Sequence, residues 1–270
     1  MALACVALLT TWATLGAGSA QADALTDIEQ RGTLRVAVPQ DFPPFGSVGP
    51  DLQPQGYDID TARYLADQMH LKLQLVPVTS ANRVPFLTTG KVDLVISSMG
   101  KNAEREKAID FSAAYAPFYL GVFKDSQQAG QRDDAIDDAQ DLKGHTVGVT
   151  RGAVEDIELT KVAPKEATIK RFEDNATTIS AFLSGQVELI ATGNQVAATI
   201  AARGGNRQPV LAYQLKDSPC YIGLAKNTPA LKAKVNALIA QGFEDGTFET
   251  LSEKWFKAPL PEGFGTAAQG

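Results

Sequence analysis

The chain has 270 residues, 44% of them hydrophobic and 21% charged, a balance that excludes disorder and collagen-like repeats and suits one large or two ordinary globular domains. Its 25 Lys and Arg against 31 Asp and Glu leave a net charge of −6, which argues against an electrostatic grip on nucleic acid or anionic lipid. Two Cys exclude a disulfide-rich scaffold, and two widely separated His leave little for a zinc site.

Residues 1–22 are uncharged and largely apolar, and they end in Ala20-Gln21-Ala22, the small-x-small pattern of a secretory cleavage site. Cleavage is expected before Asp23, although the usual basic n-region is missing. A membrane anchor is the competing reading. Gly, Ser and Thr in the second half and the lack of a basic patch after it speak against that. Cleavage leaves Cys220 as the one cysteine, expected to be packed core in Pro219-Cys220-Tyr221-Ile222-Gly223.

Leu34 to Val38 reads as a short strand ending at Pro39. Between Tyr57 and Met69, apolar Ile59, Ala62, Leu65, Ala66 and Met69 recur at helical spacing. Leu71 to Val76 alternates as a strand, Val84 to Thr89 suits a short helix stopped by Gly90, and Val92 to Ile96 is the near-continuous apolar run of a strand covered on both faces. Residues 33–97 thus read βαβαβ. The polar stretch Gln127 to Asp134 is expected to be a solvated loop.

The pattern then restarts. Strands are expected at Thr146–Val149, Thr168–Phe172 and Val187–Ala191, with helices near Val154–Leu159 and Ala176–Leu183. An extended segment near Leu211 to Lys226 precedes two last helices, Pro229–Phe243 and Phe248–Phe256. The order predicts an α/β protein of two βαβ-containing lobes joined by a two-strand hinge, with a ligand cleft between them. Residues 23–121 and 219–257 would form the first lobe, 122–218 the second, and 258–270 a flexible tail.

Some candidate residues follow from chemistry alone. Arg151-Gly152-Ala153-Val154 leaves a strand and opens a helix, and unpaired N–H groups there, those of Ala153 and Val154, attract an anion. Asn82 and Arg83 stand at a helix start from which they can reach the cleft, where a second cation would favour an acidic ligand; a capping Asn and an exposed Arg is the plainer alternative. His145, after a turn glycine, is expected at the surface.

The run Lys91 to Ile96 followed by Glu104-Arg105-Glu106-Lys107-Ala108-Ile109-Asp110-Phe111-Ser112 resembles the signature of family 3 periplasmic solute-binding proteins, the amino-acid-binding components of ABC importers. Gly32 to Val38, Asp41-Phe42-Pro43-Pro44-Phe45, Gly56-Tyr57-Asp58-Ile59-Asp60, Asp141 to Gly144 and Lys254-Trp255-Phe256 extend it over residues 30–257. Pro77 to Pro85 also resembles the glutamate/aspartate-binding branch. The resemblance implies the two-lobed type II fold, periplasmic capture of a small amino acid or related carboxylate, and delivery to a membrane permease, by a monomer without a cofactor. It makes Arg105 the guanidinium that takes the ligand carboxylate, a task suited to its bidentate donors. It assigns the Ser98 carbonyl to the ligand ammonium, places the Gly100 N–H where relatives carry Thr or Ser, packs Phe42 on the ligand, and makes Thr150 a polar contact.

One departure stands out. Where many relatives carry an Asp that pairs with the ammonium, this chain has Gly193, and the adjacent Asn194 offers only a neutral carbonyl. Asp41 and Asp174 are expected as substitutes, unless the ligand has no ammonium. The alternatives are a dehydratase-like periplasmic enzyme on the same scaffold, with Glu155, Asp174 or Glu173 as acid and Asp41 opposite, and a ligand-sensing partner of a receptor.

Overall fold

The computed structural model describes residues 24–127 and 135–267. The expected leader, residues 1–22, and most of the expected solvated loop lie outside the described residues. Two five-stranded sheets and a small three-stranded one carry the fold.

In the first sheet the order is Lys72–Val78, Thr33–Pro39, Leu94–Val95, Cys220–Leu224, Asp110–Ala116; the first three are parallel and Cys220–Leu224 runs antiparallel to both neighbours. The second repeats the scheme: Thr168–Phe172, Thr146–Thr150, Leu189–Gly193 parallel, then Tyr119–Asp125 and Pro209–Asp217 antiparallel. Each sheet with its helices is one lobe. The chain crosses at residues 117–118 and 218–219, since Tyr119–Asp125 already pairs in the second sheet. The first crossing thus lies before 121, because Leu120 and Val122 face Gly193 and Ala191 as an apolar central strand of the second sheet. The crossings are tied by the Ser218 N–H, which donates to the Phe118 carbonyl at 3.0 Å.

Burial on both faces explains the apolar runs. Along Thr33–Pro39, Leu34, Val36 and Val38 join one buried cluster while Ala37 turns to another with Val95, Leu87 and Ile109. The helix Tyr57–Gln68 buries Tyr57, Ile59, Ala62, Leu65 and Ala66, each apolar side chain of Leu or Ile size adding about 1.5–3 kcal/mol. Phe45 is fully buried, with ring centroids 5.2 Å from both Phe118 and Phe256. Cys220 is a free, fully buried thiol, as its apolar neighbours predict.

Two expectations fail. His145 is buried, not at the surface; its Nδ1 lies 3.5 Å from Glu188 at the base of the second lobe, away from the cleft. Residues 258–264 are not a free tail: the Ala258 carbonyl accepts from Ser252, Leu260 packs on the core and donates its N–H to Glu249, and the Phe264 ring lies 5.9 Å from that of Phe243. The apolar Leu260 and Phe264 explain the docking.

Candidate ligand-binding cleft

A narrow cleft with a cavity volume of about 10 Å³ lies between the lobes. The first lobe contributes Phe42, Ser80, Arg83, Ser98 and Gly100; the second, Leu120, Ala153, Val154, Glu155 and Asn175; the crossings, Phe118 and Ser218. Phe42, Ser98, Gly100, Ala153 and Val154 thus lie around one cleft, with Arg83 and Glu155 as its charged lining and Arg105 outside that lining.

The loop after strand Leu94–Val95 is pinned from several sides. Asn102 accepts the Arg105 N–H at 2.8 Å and so caps the helix Ala103–Ala108, which aims Arg105 back at the loop. The Arg105 guanidinium donates to the Gly100 carbonyl at 2.9 Å and, across the cleft, to the Gly152 carbonyl at 2.9 Å. Arg83 donates through one Nη to the Ser97 carbonyl, and its buried Nε has no partner among the described residues. Arg83 is thus neither exposed nor a surface charge. It is 4% exposed, and the sequence signal for it was its place one residue after Asn82 at the helix start.

Glu155 stands in the first turn of the helix Val154–Val162. Burial raises its carboxyl to about 7, against the opposing pull of its own backbone N–H and the positive charges of Arg83 and Arg105. Burial likewise pulls Arg105 down to about 9, the like charge of Arg83 adding to the effect and Glu155 and Glu104 opposing it. The cleft therefore holds one guanidinium, Arg83, and one carboxyl balanced between its neutral and charged forms, with the Arg105 guanidinium behind the lining Gly100 and close enough to repel Arg83. Such a set can bind an anion between the cations. Its carboxyl can take a ligand ammonium when charged or give up a proton when neutral.

Two glycines reflect close approaches. A Cβ on Gly193 would run into the Phe118 ring, which fills the space where the family resemblance calls for an Asp. A Cβ on Gly100 would meet the Ser218 hydroxyl, so the hydroxyl missing at position 100 is supplied to the same space by the second crossing. Neither substitution is visible along the chain, since 118 and 193, and 100 and 218, are distant in sequence.

Four expected residues face elsewhere. Asn194 accepts the Tyr119 N–H at 3.1 Å and so serves the crossing strand. Thr150 is buried, its hydroxyl 2.8 Å from that of Thr178, which itself donates to the Asp174 carbonyl. Asn82 accepts the Thr79 N–H at 2.9 Å and lines an outer pocket with Asp41 and Asp174.

Asp41 bridges the lobes. Its carboxylate accepts the N–H groups of Asn175 and Ala176 at 2.7 and 3.3 Å and the Asn175 side-chain amide at 3.2 Å, at the start of the helix Asn175–Leu183. These are unpaired donors at the positive end of a helix dipole, while Asp174 caps the same helix through the Thr177 N–H. Asp41 is thus committed to closure rather than to a ligand amine. Asp41→Ala is expected to shift the empty protein towards the open form, read as a larger radius of gyration in small-angle scattering; an unchanged radius would refute the latch.

Among the described residues no group of three or more His, Cys, Asp or Glu could hold a metal, and no helix is long and apolar enough to cross a membrane.

The two-lobed fold and a polar cleft at the crossings define a solute-binding architecture. Residues 34–258 match the bacterial extracellular solute-binding proteins, family 3, and the chain belongs to that family. It is 34% identical over 215 residues to a glutamine-binding protein of Geobacillus stearothermophilus, covering 78% of this chain and 79% of the relative. It is 27% identical over 249 residues to a glutamate/aspartate import solute-binding protein of Salmonella typhimurium, covering 88% and 80%. Among solved structures it superposes with a TM-score of 0.77 on an ancestral amino acid-binding protein described as a precursor of cyclohexadienyl dehydratase, at 32% identity, covering 86% of this chain and 99% of the other.

Proposed function

We propose that this protein captures a small acidic solute, an amino acid or related carboxylate, in the periplasm and delivers it as a monomer to the permease of an ABC importer. Residues 1–22 act as its export leader in this reading. Arg105 takes one carboxylate, and the Ala153 and Val154 amides approach the same anion from the second lobe. Ser98, Gly100, Ser218 and Phe42 shape the rest. The observation that carries the reading is the buried guanidinium of Arg83 in the cleft lining, with Arg105 buried directly behind that lining on the Gly100 and Gly152 carbonyls, against a single acidic side chain among the lining residues. A ligand that contacts both lobes favours the closed form, because only there are all its bonds made.

A second reading is favoured by Glu155 itself. A carboxyl raised to about 7 beside two cations is suited to act as a general acid. It would hand its proton to a departing hydroxyl, which leaves as water, while the electron pair of the new C=C bond comes from a bond to a carboxylate, released as carbon dioxide, or to a hydrogen, released to solvent as a proton. The similarity to a dehydratase precursor supports that possibility on this scaffold.

A thermal-shift screen over amino acids, small mono- and dicarboxylates and carboxylated cyclohexadienols tests both, since a ligand raises the melting temperature by mass action. Recovery of the stabilising compound at unchanged mass supports capture. Loss of the mass of water, alone or with that of carbon dioxide, replaces it with the enzyme reading, and no stabilising compound would count against both.

A further inference from the structure

We propose that Asp58 is a positioning residue for the cleft: its carboxylate holds the Ser98 amide and, through it, sets the Ser97–Gly100 loop in the shape presented to the ligand. This rests on reading that loop as the ligand-contact segment.

Ser98 has φ of 40°, in the left-handed region that a residue with a side chain rarely adopts. Its N–H donates to Asp58 Oδ2 at 2.7 Å, a short bond to a fully buried carboxylate reached from forty residues away in sequence. The second oxygen, Oδ1, accepts from the Tyr115 phenol at 2.6 Å, and the neighbouring Tyr57 phenol donates to the Tyr115 carbonyl at 2.8 Å. Both phenols are fully buried, so the carboxylate cannot swing away.

The rest of the loop is held through its carbonyls. Arg83 takes that of Ser97, Arg105 that of Gly100, and the Tyr221 N–H that of Met99 at 3.0 Å. An N–H needs an acceptor, and cations cannot provide one; Asp58 is the acceptor that completes the set. A buried carboxylate is an expensive way to build a core, since hydrophobic packing avoids its desolvation. Its two oxygens are bound by one loop amide and one phenol. The 2.7 Å bond to Ser98 offsets the unfavourable φ.

The test uses the full chain without ligand and follows amide protons by NMR. In the parent, the Ser98 amide is expected far downfield and protected from exchange. Asp58→Asn should move it upfield and speed its exchange at least tenfold while the amides of core residues Val36 and Ile222 keep their protection. Tyr115→Phe, which keeps the carboxylate, should leave the Ser98 amide downfield. An unmoved Ser98 amide in Asp58→Asn, or loss of protection shared equally by Val36 and Ile222, would overturn the inference. If Asp58→Asn does not fold, the parent decides alone: a Ser98 amide that exchanges like an open loop defeats the proposal, and a slow, downfield one supports it. An empty ligand screen would defeat the cleft reading and leave these amide results standing.

Discussion

Arg105→Ala is expected to weaken ligand binding at least a hundredfold, about 3 kcal/mol, the scale of a lost charge-assisted bidentate contact. The empty protein should melt within a few degrees of the parent. The guanidinium is 7% exposed and donates to the carbonyls of Gly100 and Gly152, bonds whose loss would destabilise the closed form. Against that, the cation is desolvated and repelled by Arg83, as its fall to about 9 records, and removing it relieves both penalties. The opposing effects leave a small net change, whereas a ligand carboxylate loses its fixed partner outright. Arg105→Lys should not restore affinity, because an ammonium lacks the planar pair of donors that the two carbonyls and an anion share. Titration calorimetry with the compound found in the screen reads the affinity, and differential scanning calorimetry of the empty protein reads the stability. Binding within threefold of the parent would remove Arg105 from the site.

Glu155→Gln is expected to flatten the pH dependence of stability between about 4.5 and about 7. The carboxyl is raised from 4.5 to about 7, so between those values the folded protein holds a proton that the unfolded chain releases. Stability from this group is therefore full below about 4.5, falls as pH rises, and is lost above about 7, a difference of roughly 3 kcal/mol. Glu155→Gln has no charge to bury and should be more stable than the parent at pH 8, with a flatter profile. Asp58, raised by burial to about 7, keeps a slope of the same sign in both proteins. Melting temperature against pH checks this, and parallel profiles would refute it.

The same substitution separates the two functional readings. If the ligand is an anion without an ammonium, ionising Glu155 puts a negative charge against it. Parent affinity should then fall as pH passes 7, and Glu155→Gln should hold it. If the ligand carries an ammonium, ionised Glu155 is its partner; affinity should rise across 7, and the variant should bind weakly at every pH. In the dehydratase reading, Glu155→Gln should retain binding but lose turnover, since an amide has no proton to deliver at neutral pH.

The alternation of strands and helices was legible along the chain because both faces of each inner strand are buried. Val92 to Ile96 and Val187 to Ala191 are then apolar but for Asp93 and Glu188 near their starts, and the helices between them show a one-sided stripe. The short strands at Asp41–Phe42, Gly46–Val48 and Pro54–Gln55 were not legible, because two- and three-residue pairings leave no periodicity to read. The Ala153–Val154 turn could be named from a local landmark, its strand–helix junction, whereas Arg105 and Phe42 were named only through the family resemblance, since Arg105 by itself reads as one more charge in a solvated Glu-Arg-Glu-Lys run. Arg83 left only the ambiguous signal of a cation near a capping Asn, and its burial depends on the loop it meets fourteen residues later.

By itself the sequence determined two repeating α/β units and an apolar buried cysteine, since these depend on burial patterns and on neighbours close in the chain. Tertiary structure alone decided that Phe118 occupies the space beside Gly193, that Ser218 lends its hydroxyl beside Gly100, that Asp41 latches a helix of the opposite lobe, and that Glu155 and Arg83 share one cleft. The physical reason is distance along the chain: each pairing joins residues between 72 and 134 positions apart, and a charge or a ring takes its role from what surrounds it after folding, which no local pattern records.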